Sequence, residues 1–218
     1  MPDQSLPAEI ATLRLDGVRP LVVVDVDEVL AMFMRGFERF LGGRGFEMRI
    51  TRFALFQSIF RPGDEEHLDV AEGRQLFELF FEADVEDIDP APGAPEALRR
   101  LAESAQIVIL TNAPAHGRAP RARWLAKHGF AYPMVVNSGL KGPSVAAMAA
   151  MTSGKAAFVD DLLPNLDSVA AEAPAVATFQ YVADERLRPL AFANPEKHPR
   201  IDDWDELGAA IAAAIARD

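Results

Sequence analysis

Two aspartates one residue apart, Asp25 and Asp27, stand where the apolar run Leu21-Val-Val-Val24 ends. Residues i and i+2 of an extended segment point to the same side, so both carboxylates can face one ligand. A run of that composition suits a strand buried on both faces, as in the middle of a parallel sheet, and ligands of such sheets bind beyond the carboxyl ends of the strands. Three later apolar runs end in polar groups of a matching kind. Ile107 to Leu110 lead into Thr111-Asn112, a hydroxyl and an amide able to hold phosphate oxygens. Lys141 follows Met134-Val-Val136 within Ser-Gly-Leu-Lys-Gly-Pro, directly before a helical segment. Ala156 to Val159 end in Asp160-Asp161, with Asn165 one turn further on. Taken singly these are ordinary residues: a turn threonine, a surface lysine, a helix-capping aspartate.

Taken together they are not ordinary. Four carboxylates at one sheet edge repel one another and raise each other's pKa, and a hard divalent cation is the natural counter-ion. Oxygen-only ligands describe Mg²⁺, and with no cysteine and four scattered histidines (His67, His116, His128, His198) nothing suggests zinc. Asn112 and Asn165 suit either positioning of the site or a helix start.

The elements that must position these residues follow from the pattern. A short helix is predicted over 7–14, then the strand at 21–24. Helical spacing recurs in Phe33, Phe37 and Phe40, again in Phe53, Phe56 and Phe60 before Pro62-Gly63, and in a third segment over 64–81. Ten of the fourteen phenylalanines lie between positions 33 and 81, which predicts an all-helical lobe with its own aromatic core. After the turn-rich Asp89 to Pro95, strands at 107–111, 134–136, 156–159 and 175–179 alternate with helices at 95–104, 120–129, 143–151 and 164–172, and a last helix runs from Asp203. Residues 183–200 read as loop. The expected fold is α/β, a Rossmann-like parallel sheet flanked by helices. A βαβ crossover needs only ~30 residues whereas 86 positions separate Asp25 from Thr111, so the excess marks an insertion. The core is expected at 1–30 and 92–218, with the lobe at 31–91 placed over the sheet edge as a lid.

Composition narrows the partners. The chain of 218 residues carries 22 basic against 33 acidic residues, a formal charge of −11, which disfavours nucleic acid and anionic membranes. The absence of cysteine excludes disulfides and thiolate chemistry. No run approaches the ~20 apolar residues of a membrane span, and the first residues lack the apolar core of a signal peptide, so a cytoplasmic protein is expected.

The order Asp25-x-Asp27-x-Val-Leu, Thr111-Asn112, Lys141, Asp160-Asp161 resembles the four motifs of the haloacid dehalogenase-like hydrolases over roughly residues 20–180, and the insertion resembles that superfamily's helical cap. The resemblance implies a small phosphorylated metabolite as substrate. It implies Asp25 as nucleophile and Asp27 as acid/base, with Thr111 and Lys141 on the phosphoryl oxygens. Mg²⁺ would be held by Asp25, the Asp27 carbonyl and Asp160, with Asp161 in support. Where phosphatases of the family commonly have Gly-Thr after the second aspartate, this chain has Glu28-Val29, and Glu28 is expected to point away from the site. A phosphomutase or phosphotransferase would keep the same motifs, and a non-catalytic phospho-ligand binding protein would not need the nucleophile. Arg35, Arg49 and Arg52 are read as solvated rather than as a second anion site, and Lys155, preceding its strand, belongs at the opposite sheet edge.

Overall fold

A computed structural model describes residues 6–83 and 85–216. After a 3-10 turn at Ala8–Thr12, the strand β1 (Leu21–Val24) leads into helix α1 (Phe33–Gly42), the short strands β2 (Glu47–Met48) and β3 (Ile59–Phe60), and α2 (Val70–Ala83). The chain then alternates: α3 (Ala94–Ala102), β4 (Gln106–Thr111), α4 (Arg118–Lys127), β5 (Met134–Val136), α5 (Gly142–Ala149), β6 (Ala156–Asp160), α6 (Leu163–Glu172), β7 (Ala177–Gln180) and α7 (Trp204–Ile215).

Five strands form one parallel sheet in the order β5-β4-β1-β6-β7. The central β1 is buried on both faces, which is why it reads as an unbroken β-branched run. Leu21 and Val23 pack with Val108, Leu110, Phe158 and the apolar sides of α5 and α6. Val22 and Val24 face the opposite way, into a cluster with Ile107, Ile109, Val159 and residues of α3, α4 and α7. Val24 pairs with Ile109 on one side and Val159 on the other, so Asp25, Thr111 and Asp160 come out at one edge. The last helix begins as expected, with the Asp203 carboxylate accepting from the backbone N–H groups of Asp205 and Glu206. Among the described residues no helix is long and apolar enough to cross a membrane.

Between β1 and α3 the structure corrects the sequence reading in three respects. The stretch 53–60 is not a helix: a 3-10 turn at Phe56–Ser58 leads into β3, which pairs antiparallel with β2, Met48 opposite Ile59. The segment 31–91 is therefore not all-helical. Its phenylalanines divide between packing on α2, where Gly73 admits Phe56 and Ile59 closely, and a cavity described below. The third segment becomes helical only at Val70, because the backbone N–H of Leu68 donates to Ile59 and extends the ribbon, while Asp69 accepts from Ala71. Finally, the aromatic cluster is not a separate core. The rings of Phe33, Phe37, Phe40, Phe80 and Phe81 lie 5.2–6.3 Å from their neighbours and belong to the same buried cluster as Val22 and Val24.

Candidate active site

Beyond Val24 the chain stays on β6 for one more residue, with the N–H of Asp25 donating to Val159. It then winds tightly, the Val26 carbonyl accepting from the N–H groups of Val29, Leu30 and Ala31. The turn requires a left-handed residue, and Glu28 takes it at φ 60°, a conformation that glycine adopts more readily. The indole N–H of Trp204 holds the far side of the turn through the Val29 carbonyl at 3.1 Å.

Glu28 does not point away. It is buried, and its two carboxylate oxygens accept from the backbone N–H of Met34 at 2.7 Å and of Asp184 at 2.9 Å. Met32, at the N-cap of α1, supplies no capping side chain, and Glu28 satisfies a free N–H at the positive end of that helix. Burial pushes its carboxyl up to about 7.

Lys141 is the hub of the cluster. The residue is 1 % exposed, and its ammonium lies 2.6 Å from Asp25 and 2.7 Å from Asp160. Asp160 also accepts from the Asn165 amide at 3.0 and 3.2 Å and from the N–H of Leu162 at 2.9 Å. Two features carry Lys141 so deep. Gly142 sits so close to α6 that a Cβ there would fall 2.3 Å from the Ser168 hydroxyl, and its N–H donates to that hydroxyl. In addition, buried Asn137 accepts from Ser144 at 2.7 Å and donates to Asn112 at 2.9 Å and to the Gly139 carbonyl, tying the loops after β4 and β5 together.

Carboxylate oxygens of Asp25, Asp160 and Asp161 approach within 4.8 Å of one another, all three buried. Burial pushes Asp25 up to about 7, with Lys141 opposing and the neighbouring carboxylates adding. Asp161 is held well above the ordinary carboxylate range, first by burial and then by Asp160 and Asp25. Three buried carboxylates facing one ammonium leave negative charge without compensation, and the donor set of hard oxygens fits Mg²⁺.

Asp25, Asp27, Asn112, Lys141, Asp161 and Asn165 line one cavity of about 320 Å³. Asp160 lies behind it, fully buried. Thr111 is also fully buried at the end of β4 and does not line the cavity, and its hydroxyl has no partner. The Asp27 carboxylate stands outside the acidic cluster, bound 2.5 Å from the Arg121 guanidinium. Arg121 is wholly buried, lies over the Phe81 and Trp124 rings, and leaves Nε and Nη1 without hydrogen-bond partners. Sequence reasoning missed it, because in Arg118-Ala-Pro-Arg121-Ala-Arg123 nothing separates the one buried arginine from its exposed neighbours. It missed Asn137 and Ser144 for the same reason. Lys155 is exposed and precedes β6, at the amino edge of the sheet, as expected.

No family model matches the chain, and no curated protein matches it. Solved structures do. A haloacid dehalogenase-like hydrolase from Streptococcus pneumoniae aligns with a TM-score of 0.61 at 13 % identity, covering 90 % of this chain and 99 % of that one. The presumed HAD-hydrolase YfnB from Bacillus subtilis, in a structure bound to magnesium, gives 0.55 at 13 %, covering 89 % and 99 %. A presumed beta-phosphoglucomutase from Thermotoga maritima gives 0.53 at 14 %, covering 89 % and 99 %. Identity this low carries the fold and not the reaction, and the chain has the fold of the haloacid dehalogenase-like hydrolases.

Proposed function

We propose that the protein is a Mg²⁺-dependent hydrolase of a small phosphomonoester, working through an aspartyl-phosphate on Asp25. The observation that carries this reading is the position of Lys141, bridging Asp25 and Asp160 beside a cavity that Asp25, Asp27 and Asp161 also line. Asp25, Asp160 and Asp161, with the Asp27 carbonyl, would hold the cation, which when bound neutralises the acidic cluster and the charge of the phosphoryl group.

Lys141 opposes the protonation that burial favours at Asp25 and orients its carboxylate. An Asp25 oxygen attacks phosphorus, the bond from phosphorus to the leaving oxygen breaks, and that oxygen takes its electron pair and a proton from Asp27. Asp27, now ionised, removes a proton from water, whose oxygen attacks phosphorus and returns Asp25 as a free carboxylate with release of phosphate. Asn112 and Lys141, which line the cavity, would hold phosphoryl oxygens, whereas Thr111, expected from the sequence to do so, is buried outside it. The segment 31–91, which supplies much of the cavity lining, would act as the lid. A phosphomutase would use the same residues but would pass the phosphoryl group back to an organic acceptor.

The test is rapid-quench mass spectrometry of Asp27→Asn with an activated aryl phosphate and Mg²⁺. One added phosphoryl group on the peptide holding Asp25 is expected, with slow release of inorganic phosphate, and chelation should abolish both. Label on Asp160 or Asp161, or full turnover in verified metal-free protein, would refute the assignment.

A further inference from the structure

The lining of the cavity divides sharply by origin. The charged and amide groups come from the loops at the sheet edge: Asp25, Asp27, Glu28, Asn112, Lys141, Asp161 and Asn165. Everything contributed by the segment 31–91 is apolar, namely Phe33, Met34, Phe53, Ala54, Leu55 and Phe77, and Leu187 and Leu162 add further apolar lining. None of Arg35, Arg49 and Arg52 reaches the cavity. Arg35 is engaged by Asp184 and Glu185, and Arg49 by Glu47. Among the described residues Lys141 is thus the single cation in the lining, and it is already shared between two carboxylates.

From this we infer that the organic half of the substrate is an uncharged, apolar group of about one ring or a short branched chain. The inference rests on the phosphomonoesterase reading above and names its substrate class. One phosphoryl group has Lys141 and the cation to receive it, whereas a second phosphate or a carboxylate finds no cation. A polyhydroxylated group, such as a sugar, would bring its hydroxyls against walls whose side chains offer neither donor nor acceptor, and each hydroxyl so desolvated costs roughly 10–100-fold in binding. The wall does not rearrange easily. The Phe77 ring is wedged against Phe33, Phe37, Phe56 and Phe81 at 4.8–6.4 Å. The loop bearing Phe53 to Leu55 is closed by the Ser58 hydroxyl on the Ala54 carbonyl at 2.6 Å. A volume of about 320 Å³ lies at the lower end of the ~300–1,000 Å³ of ligand pockets, which limits the size of the group.

The test compares kcat/KM for 2-phenylethyl phosphate and glucose 6-phosphate with the intact protein and Mg²⁺. Both are esters of primary alcohols, so their leaving groups differ little in chemistry. A preference of about 100-fold for the phenylethyl ester is expected, and Leu55→Asn, on a partly exposed loop, should shrink that ratio about tenfold through KM. Equal or reversed preference, or a ratio that Leu55→Asn leaves unmoved, overturns the substrate class while leaving the hydrolase reading intact. Failure to turn over either ester and p-nitrophenyl phosphate as well would instead overturn the reading on which the inference rests.

Discussion

Replacing Arg121 with methionine should separate stability from activity. The guanidinium is completely buried, yet only Nη2 has a hydrogen-bond partner, the Asp27 carboxylate at 2.5 Å. Two buried donors without partners cost about 1–3 kcal/mol each, which the substitution removes. Against this stand one charge-assisted hydrogen bond, worth about 1.5–3 kcal/mol, and the contacts over Phe81 and Trp124 at 5.0 and 5.8 Å, worth about 1–2 kcal/mol together. The usual penalty for orphaning a buried charge is reduced here, because the Asp27 side chain is 26 % exposed and water in the cavity can solvate it. The sum is close to zero or slightly favourable, so Tm should fall by no more than about 2–4 °C, the equivalent of ~1 kcal/mol at this chain length. Turnover, in contrast, should drop by about 10²–10⁴, because Asp27, the proposed acid/base, is no longer held in place. Since Arg121 does not line the cavity, the loss should appear in kcat with KM unchanged. Thermal unfolding and steady-state kinetics on one preparation measure both. A stability loss above ~3 kcal/mol would mean that the pair is structural, and unchanged kcat would mean that Asp27 does not depend on Arg121.

Lys141→Ala removes the ammonium between Asp25 and Asp160 and should cut turnover by about 10²–10³, whereas Lys155→Ala, at the opposite edge, should be nearly silent; phosphate release assays that show the reverse would contradict the placement of the site. Asp161→Asn probes the buried charge without catalysis. Because the folded-state pKa of Asp161 is raised, the folded chain keeps a proton that the unfolded chain releases near pH 4, so the stability from this group is complete below that pH and is lost as pH rises through the folded value. Asparagine imitates the protonated form. In chelator, Asp161→Asn should therefore melt higher than wild type at pH 8 and close to it at pH 4, and added Mg²⁺ should stabilise the wild type more than the variant. A difference in Tm that does not vary with pH would refute the buried-charge account.

Much of this fold was legible in the sequence because its strands are buried on both faces. Leu21 to Val24, Ile107 to Leu110 and Ala156 to Val159 carry their burial in their composition, and the polar residues that follow each run lie at the sheet edge that holds the site. Chain order alone therefore marked Asp25, Asp27, Asn112, Lys141 and Asp161, and the structure brings them to one cavity. It also marked Thr111 and Asp160, which lie buried behind it. The start of α7 was equally plain, since a capping aspartate acts within its own turn.

What the sequence could not carry was anything decided by a partner far along the chain. Phe53 to Phe60 has helical spacing, but β3 exists because β2 is there to pair with it, and short apolar runs fit either structure. Glu28 reads as a surface acid until Met34 and Asp184, the latter 156 positions away, present their N–H groups to it. Arg121 is one arginine among several until α4 turns it onto Asp27, 94 positions earlier. Periodicity and strand-end chemistry are properties of a local stretch and survive in one dimension. Burial of a single charged side chain, and the identity of the group that compensates it, are fixed only by the packing of distant segments, so those assignments belong to the tertiary structure.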